Sequence, residues 1–470
     1  MAVRTTTRRA FIRKASVAVG AAAALPIHSR VLGANDDIRV AVVGFRSQGR
    51  NHIKWLRELP GVRVVALCDA DREVLDRGLK AFRDRDEQVA GYVDVRRLLE
   101  DENIDAITTA TPDHWHALVT IWACQAGKDV YVEKPLCHNL WEGRKMVEAA
   151  RQYDRIVQFG NQSHGHSTGE MRLESRDLGK ILVAYTSLNR MRQSIGKVDG
   201  PQPVPESVDY DLWTGPAPLE PLMRQRLHYD WHWVWSTGTG EIGNNGIYPL
   251  DACRLALGQK ALPRRVLSLG GRFLFDDDGE TPNTQIALFQ YEPGPMVIFE
   301  LRNLPSETGP KTVGSKVKCE RGDSGLPRPS GEPGSTGEYS GHKGHLFNFL
   351  SAVRSRDVSD LRADVLEGHL STALVHMANI SYRLGSLHSA DEVREAIKDR
   401  GSDAEETFRR FQEHLAANGV DFSKTEVVLG PWLEMDSETE RFVGNSEIAA
   451  RANALLRRDY REPFVVPDKV

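Results

Sequence analysis

A doubly wound parallel α/β sheet, followed by an α+β domain with a largely antiparallel, open-faced sheet, is the fold class this sequence predicts. Three observations predict it. Short β-branched apolar runs alternate with helical patterns from Ile38 to Phe159; a glycine turn follows the first of these runs; and the later strand-like runs follow one another with few helices between them. The length agrees, because 470 residues exceed a single hydrophobic core and require two or three units.

The first strand is Ile38 to Val43. It ends in the turn Gly44-Phe45-Arg46-Ser47-Gln48-Gly49, and a helical pattern runs on through Leu59. A second apolar run, Val62 to Cys68, ends at Asp69. Strand, tight turn, helix, strand and acid in this order form a dinucleotide-binding fingerprint. The free N–H groups and positive dipole end of the helix suit a pyrophosphate. Asp69, 25 residues after Gly44, stands where a carboxylate accepts from a ribose hydroxyl. Arg46 occupies the position of the fingerprint's middle glycine, from which it either points outward or lies over a phosphate. Asp69 disfavours a 2′-phosphate, so NAD is expected, while Arg46 and Arg72 leave NADP open.

The alternation continues with a strand over Asp105–Thr111, a helix over Asp113–Ala126 and a strand over Asp129–Val132. A helix over Leu140–Tyr153 and a strand over Ile156–Phe159 complete it. Ligands of such sheets sit at the carboxyl ends of the strands. Thr111-Pro112-Asp113-His114-Trp115-His116 and Glu133-Lys134-Pro135 fall at those ends. His114 is expected to open the helix, and Trp115 and His116 to line the nucleotide cleft. Lys134 suits the chemistry on its own terms: an ammonium stabilises a developing alkoxide, and burial lowers its pKa towards proton transfer.

Beyond Gly160 the pattern changes. Asn161 to His166 is a polar loop and Met171 to Leu178 a helical pattern. Strand-like runs follow at Ile181–Leu188, Arg265–Phe275, Asn283–Tyr291 and Met296–Arg302, with a hairpin turn over Gln290–Pro295. Pro305 to Ser340 reads as a long loop. Tyr229 to Asp251 is richest in chemistry. Trp231, Trp233 and Trp235 offer either flat faces on which a ligand stacks or an aromatic core strand, and His232 can bond a hydroxyl.

The charge balance, 61 basic against 65 acidic residues, speaks against a nucleic-acid surface. Five scattered cysteines with no CxxC pair speak against a thiolate metal site or a disulfide framework, and no metal is expected. Thr7-Arg8-Arg9-Ala10-Phe11-Ile12-Arg13-Lys14, followed by an alanine-rich stretch too short to span a bilayer, reads as a twin-arginine signal over residues 1–34. The expected destination is the periplasm or another exported location, reached through the twin-arginine machinery, with no stable membrane insertion after processing. Free dinucleotide is scarce there, so a cofactor should be held tightly. The expected divisions are the signal (1–34), the nucleotide domain (35–160), a substrate and oligomerisation domain (161–385) and an extension that packs back on the body (386–470).

The glycine turn, the Thr-Pro-Asp-His-Trp-His run and Glu-Lys-Pro together resemble the Gfo/Idh/MocA family of sugar and polyol oxidoreductases. Asp209 to Pro218, His345 to Phe349, Leu366 to Leu384 and Ala454 to Phe464 resemble its exported bacterial branch. The resemblance implies Lys134 beside the nicotinamide, with Gly44, Phe45, Arg46, Gly49, Asp69, Thr111, Pro112, His114, His116 and Glu133 holding the cofactor. It also implies a carbohydrate substrate and a homodimer or tetramer. Many members carry Asp and, four residues on, a proton-exchanging His; this chain has Asn244 and Tyr248 there. Asn244 can only hydrogen bond, and Tyr248 needs its pKa lowered, for which Lys134 is the candidate. Glu241 is a further candidate acid, and Asp251 matches a recurring structural acid. The implied activity is hydride transfer on a sugar, polyol or glycoside, either as a net oxidation or, as export with a retained cofactor favours, redox-neutral overall as in the related dinucleotide-dependent glycosidases. The other reading is a catalytically impaired carbohydrate- or nucleotide-binding protein.

Overall fold

The computed structural model describes residues 37–162, 173, 178–305, 309, 311–326, 339, 341–398 and 401–470. The signal segment and most of the helical pattern at Met171–Leu178 lie outside the described residues.

Six parallel strands form the first sheet: β1 (Ile38–Val43), β2 (Val62–Cys68), β3 (Ala90–Tyr92), β4 (Ala106–Thr109), β5 (Asp129–Glu133) and β6 (Val157–Gly160). Their order is β3-β2-β1-β4-β5-β6, the doubly wound arrangement in which chain direction across the sheet reverses between β1 and β4. Val43 pairs with both Cys68 and Thr109, so the carboxyl ends of the central strands align at that crevice. The β5 residues are all buried, as expected of a strand covered on both faces, with Val130, Tyr131 and Val132 between the charged ends Asp129 and Glu133. The helix Arg72–Arg83, the edge strand β3 and the helix Val95–Leu99 have no counterpart in the sequence reading. β3 is three residues, two of them exposed, and so carries no apolar signal.

The second sheet is mixed. β8 (Arg265–Gly271), β9 (Thr284–Gln290) and β10 (Met296–Arg302) form an antiparallel ladder, and β7 (Ile181–Asn189) joins β10 in parallel. The Pro305–Ser340 segment is not a plain loop: Lys316–Cys319 and Ser324–Gly325 extend the sheet beyond β7. At the other edge Ser386–His388, Val427–Leu429 and Leu433–Asp436 add further strands.

This sheet is not open-faced. Ala287, Phe289, Val297 and Phe299 belong to one core with Ile247 and Leu250 of the helix Ile247–Ala256 and with Leu370 and Leu374 of the helix Val365–Arg383. The alternate residues Ile286, Leu288 and Ile298 belong to another, together with Val393 and Ile397 from Ala390–Ile397 and Phe408, Phe411 and Leu415 from Ser402–Ala417. Successive strand side chains point to opposite faces, so both faces are dry. The polar seam under the second layer is paired as well. Glu300 lies between Arg302, at 2.8 Å, and Arg410, and Lys318 meets Asp403 at 3.1 Å. The face that the sequence reading leaves open is therefore covered by the chain's own C-terminal helices.

Candidate active site

A cleft of about 390 Å³ opens at the carboxyl ends of β1, β2, β4 and β5. On the sheet side, Gly44 has φ +71°, and a Cβ there would come within 2.8 Å of the Thr111 backbone. A Cβ on Gly49 would lie 2.4 Å from the Gly44 carbonyl oxygen. The helix Gln48–Arg57 begins with no side-chain cap and no acid in its first turn, leaving its N–H groups to an anion. Asp69 accepts from Phe45 N at 3.0 Å and Asp71 N at 3.1 Å, and burial raises its pKa to about 6 despite those bonds. These features fit a dinucleotide: a close-approach turn, open N–H donors and an acid one strand away.

Of the residues expected to hold the cofactor, Gly44, Arg46, Asp69, Thr111, Pro112, Glu133 and Lys134 line this cleft. Four do not. Phe45 is a core residue at 2% exposure and contributes only its N–H to Asp69. Gly49 acts through the turn's close packing. His114 lies buried with Nδ1 3.2 Å from Thr237 O and Nε2 3.1 Å from Trp213 O, and burial lowers its pKa to about 3. His116 joins Pro135 O and Thr111 O at 2.7 and 2.9 Å. Both imidazoles tie segments together behind the cleft, on a helix that is buried nearly all round. Trp115 does line the cleft.

Lys134 sits at the centre. Its Nζ donates to Asn244 O at 2.7 Å and to Asn244 Oδ1 at 3.3 Å, and stands 5.3 Å from the Tyr248 ring centre. An ammonium carries three donors, so one remains for a ligand. Asn244 lies in a single π turn, Ile242–Gly246, a geometry that interrupts the regular ladder at functional sites. Burial lowers the Lys134 pKa, opposed by the charges of Glu133, Asp113 and Glu241. Glu133 accepts from Gln48 and Gln162 at 3.2 and 3.1 Å, and its Oε1 lies 3.0 Å from His52 Nε2. Burial alone would raise its pKa, but His52, Lys134 and Gln48 bring it to about 2, so it stays ionised.

Two expectations at this centre are corrected. The Tyr248 pKa is raised, not lowered, because burial and the Glu133 charge both oppose the phenolate and Lys134 does not reverse them. Glu241 is no free acid: it takes two bonds from Arg192, at 2.9 and 2.8 Å, and others from Asn244 and Asn245. Asn244 is thereby held between Lys134 and Glu241. Asp251 accepts from Asn161 at 2.6 Å and from Ser371 in the interior.

His232 and Trp231 stack at 3.6 Å and both face the cleft. His232 Nδ1 bonds the Tyr229 carbonyl oxygen, and burial lowers its pKa to about 3, so it is a neutral hydrogen-bonding group. Trp233 is buried beneath Arg192, and Trp235 packs beside Tyr382, so the tryptophans divide between a ligand face and the core.

The segment from Val204 to Thr237 forms a strap over the cleft. At one end Arg72 N donates to Ser207 O, Asp209 N donates to Ala70 O, and His228 meets Asp71 at 3.2 Å. At the other, Trp115 Nε1 donates to Leu212 O and Trp213 O at 3.1 and 3.0 Å. Val208, Trp213, Leu222 and Leu227 give the strap a small core of its own. Asp113, Trp213 and His228 line the cleft and were not singled out from the sequence. The acid at the head of the Thr-Pro-Asp run was the available signal for Asp113.

A six-stranded dinucleotide sheet, a mixed sheet beside it and a lysine-centred cleft at the strand ends define an NAD-binding oxidoreductase architecture. The chain belongs to the Gfo/Idh/MocA oxidoreductase family. Residues 38–161 match its NAD-binding Rossmann domain and residues 180–408 its C-terminal alpha/beta domain. An inositol 2-dehydrogenase of Saccharopolyspora erythraea is 34% identical over 131 residues, 25% of this chain and 38% of that protein. A glycosyl hydrolase family 109 protein of Shewanella pealeana is 30% identical over 136 residues, 28% of this chain and 30% of that protein. The matched segment thus spans well under half the length of these relatives. Among solved structures, the WlbA dehydrogenase of Bordetella pertussis in complex with NADH and UDP-GlcNAcA superposes with TM-score 0.54 at 18% identity, covering 73% of this chain and 96% of that one. The Lactobacillus casei myo-inositol dehydrogenase, in complex with NAD(H) and myo-inositol, gives 0.52 at 18%, covering 74% and 95%. These likenesses establish the fold.

Proposed function

We propose that this protein oxidises and re-reduces a sugar, polyol or glycoside with a nicotinamide that stays bound through turnover, so that the reaction is redox-neutral overall. The observation that carries this reading is the strap: it is bonded to the dinucleotide domain at both ends of the cleft and roofs the space between Asp69 and Lys134. NAD supplies the hydride acceptor. Lys134 presents its remaining N–H to the substrate oxygen and stabilises the charge that develops there. Asn244 and Glu241 fix the position of that ammonium, and Trp231 and His232 offer a stacking face and a hydrogen bond to a hydroxyl. Arg46, exposed at the mouth, accounts for anion binding where the fingerprint lacks its glycine. The relatives named for inositol dehydrogenation and glycosyl hydrolysis support the substrate class. Export through the twin-arginine pathway, argued from Arg8 and Arg9, completes the proposal, since retention makes function independent of a dinucleotide pool. The test is to follow nicotinamide absorbance in the purified protein across a panel of sugars and glycosides. Product without net NADH is expected; stoichiometric release of free NADH would overturn the retained-cofactor reading.

A second reading, a binding protein that has lost catalysis, is favoured by Asn244 and by the raised Tyr248 pKa, which remove the usual proton-exchanging pair. Lys134→Ala separates the two. A turnover loss of about 100-fold or more supports catalysis; equal absence of turnover in both forms across the panel supports binding alone.

A further inference from the structure

Trp231 and His232 are half-buried in the cleft, whereas Tyr229, which lines it with them, is 44% exposed. We propose that Tyr229 is the platform of an outer subsite for a ring carried on the glycosidic oxygen, a second sugar or an aromatic aglycone, so that the substrate is a glycoside rather than a free sugar or polyol. The inference rests on the functional reading above and narrows its substrate class.

Tyr229 has φ +71° and ψ −46°. A bulky side chain rarely takes a positive φ, and such strain persists only where the surroundings hold it. Two contacts hold it here. The next residue, Asp230, is fully buried and accepts from Arg226 twice, at 2.9 Å each. The Tyr229 hydroxyl accepts from Arg192 Nη1 at 2.8 Å. The strap thus turns Asp230 inward and Tyr229 to the mouth of the cleft. The Tyr229 ring lies 4.7 Å from that of His232, which stacks on Trp231 at 3.6 Å. Three rings therefore run from the exposed mouth into the cleft. A tyrosine serving the core would be buried, and one merely solvated would not be fixed in a strained backbone by a guanidinium. A fixed, exposed aromatic face suits the face of another ring.

The hydroxyl contact ties this platform to the lysine. Arg192 donates from Nε and Nη2 to the buried Glu241 at 2.9 and 2.8 Å. Asn244 Nδ2 donates to Glu241 Oε2 at 3.2 Å, and Lys134 Nζ donates to Asn244 O at 2.7 Å. A ring seated on Tyr229 therefore bears on the chain of bonds that sets the ammonium. Binding energy gained away from the reacting carbon and used to position it appears in kcat and not in KM alone. Tyr229 is a binding residue in this scheme and Arg192 a positioning residue.

The test offers methyl glycosides, phenyl glycosides and disaccharides of the common hexoses, in both anomers, to the NAD-loaded protein. Affinity is read by calorimetry and turnover by chromatography of the products. The wild type should bind at least one ring-bearing glycoside about 10-fold more tightly than its methyl counterpart, and Tyr229→Ala should lose that advantage. The phenyl and disaccharide arms tell an aromatic aglycone from a second sugar. Tyr229→Phe keeps the ring but not the Arg192 bond, so the affinity advantage should remain while the advantage in kcat falls several-fold. Equal affinity for methyl and ring-bearing glycosides in the wild type, or an advantage that survives Tyr229→Ala, would overturn the subsite. A wild-type kcat advantage in Tyr229→Phe would overturn its link to Lys134. Binding needs no turnover, so the two readings fail separately: a ring advantage without turnover keeps the subsite and sinks the redox-neutral reaction, and redox-neutral turnover with no ring advantage does the reverse.

Discussion

Gly215 is where the strap is most sensitive to a single added methyl. Its φ is +49° and its ψ −119°, and a Cβ there would lie 2.2 Å from Cζ2 of Trp115. That indole cannot swing away, since its Nε1 donates to Leu212 O and Trp213 O and its ring packs against Phe464 at 5.5 Å. Overpacking of this kind costs about 1–3 kcal/mol, and a left-handed backbone on a residue with a Cβ adds about 1–2 kcal/mol. Gly215→Ala is relieved by lifting the Leu212–Gly215 corner from Trp115, so the cost falls on the closed strap. Even about 2 kcal/mol shifts closure by roughly 30-fold. The dissociation rate of bound NAD should rise by that factor or more. The assay loads the protein with radiolabelled NAD, removes the excess by gel filtration and follows exchange against unlabelled NAD, with thermal unfolding measured in parallel. Exchange at the wild-type rate, whether or not the unfolding temperature falls, would refute the argument that this corner governs release.

Other consequences follow from the same geometry. Glu133 has a folded-state pKa of about 2 against an ordinary 4.5, so its stabilising contribution is complete above about pH 4.5 and is lost as pH falls towards 2; the urea midpoint of Glu133→Gln should vary less with pH over that window. Phe411→Ala, in the layer that seals the second sheet, should cost about 3–5 kcal/mol in urea unfolding and expose a surface that binds a hydrophobic dye; a loss under about 1 kcal/mol would mean the layer is not part of the core. Asp69→Ala should narrow the preference for NAD over NADP, read as the ratio of dissociation constants, because the carboxylate that opposes a 2′-phosphate is gone.

The nucleotide half was legible because its strands are buried on both sides and bounded by glycine or acid. Val62–Cys68 matches to the residue, and the helices at Asp113 and Leu140 start where read. The cleft residues that were legible are those whose type is dictated by a backbone requirement, such as Gly44, or by charge at a strand end, such as Asp69 and Lys134. His114, His116 and Phe45 were misplaced because motif adjacency says nothing of direction: their neighbours face the cleft while they face the interior. The strap was beyond reach, since its residues become a roof only through bonds to Ala70, Arg72 and Trp115, more than 90 positions away in sequence. Asp113 was passed over for a related reason: its environment is completed by Thr239, distant along the chain. The closed second sheet depends on helices after residue 390; the sequence predicts there an extension that packs back on the body, but its amphipathic pattern does not say which surface it covers.

The most direct test of the account is to denature the purified protein, without added nucleotide, and identify by mass spectrometry the small molecules it releases. The account predicts close to one NAD or NADH per chain, surviving extensive dialysis of the folded protein. A protein released empty, yet fully active on added NAD with free NADH accumulating, would contradict it.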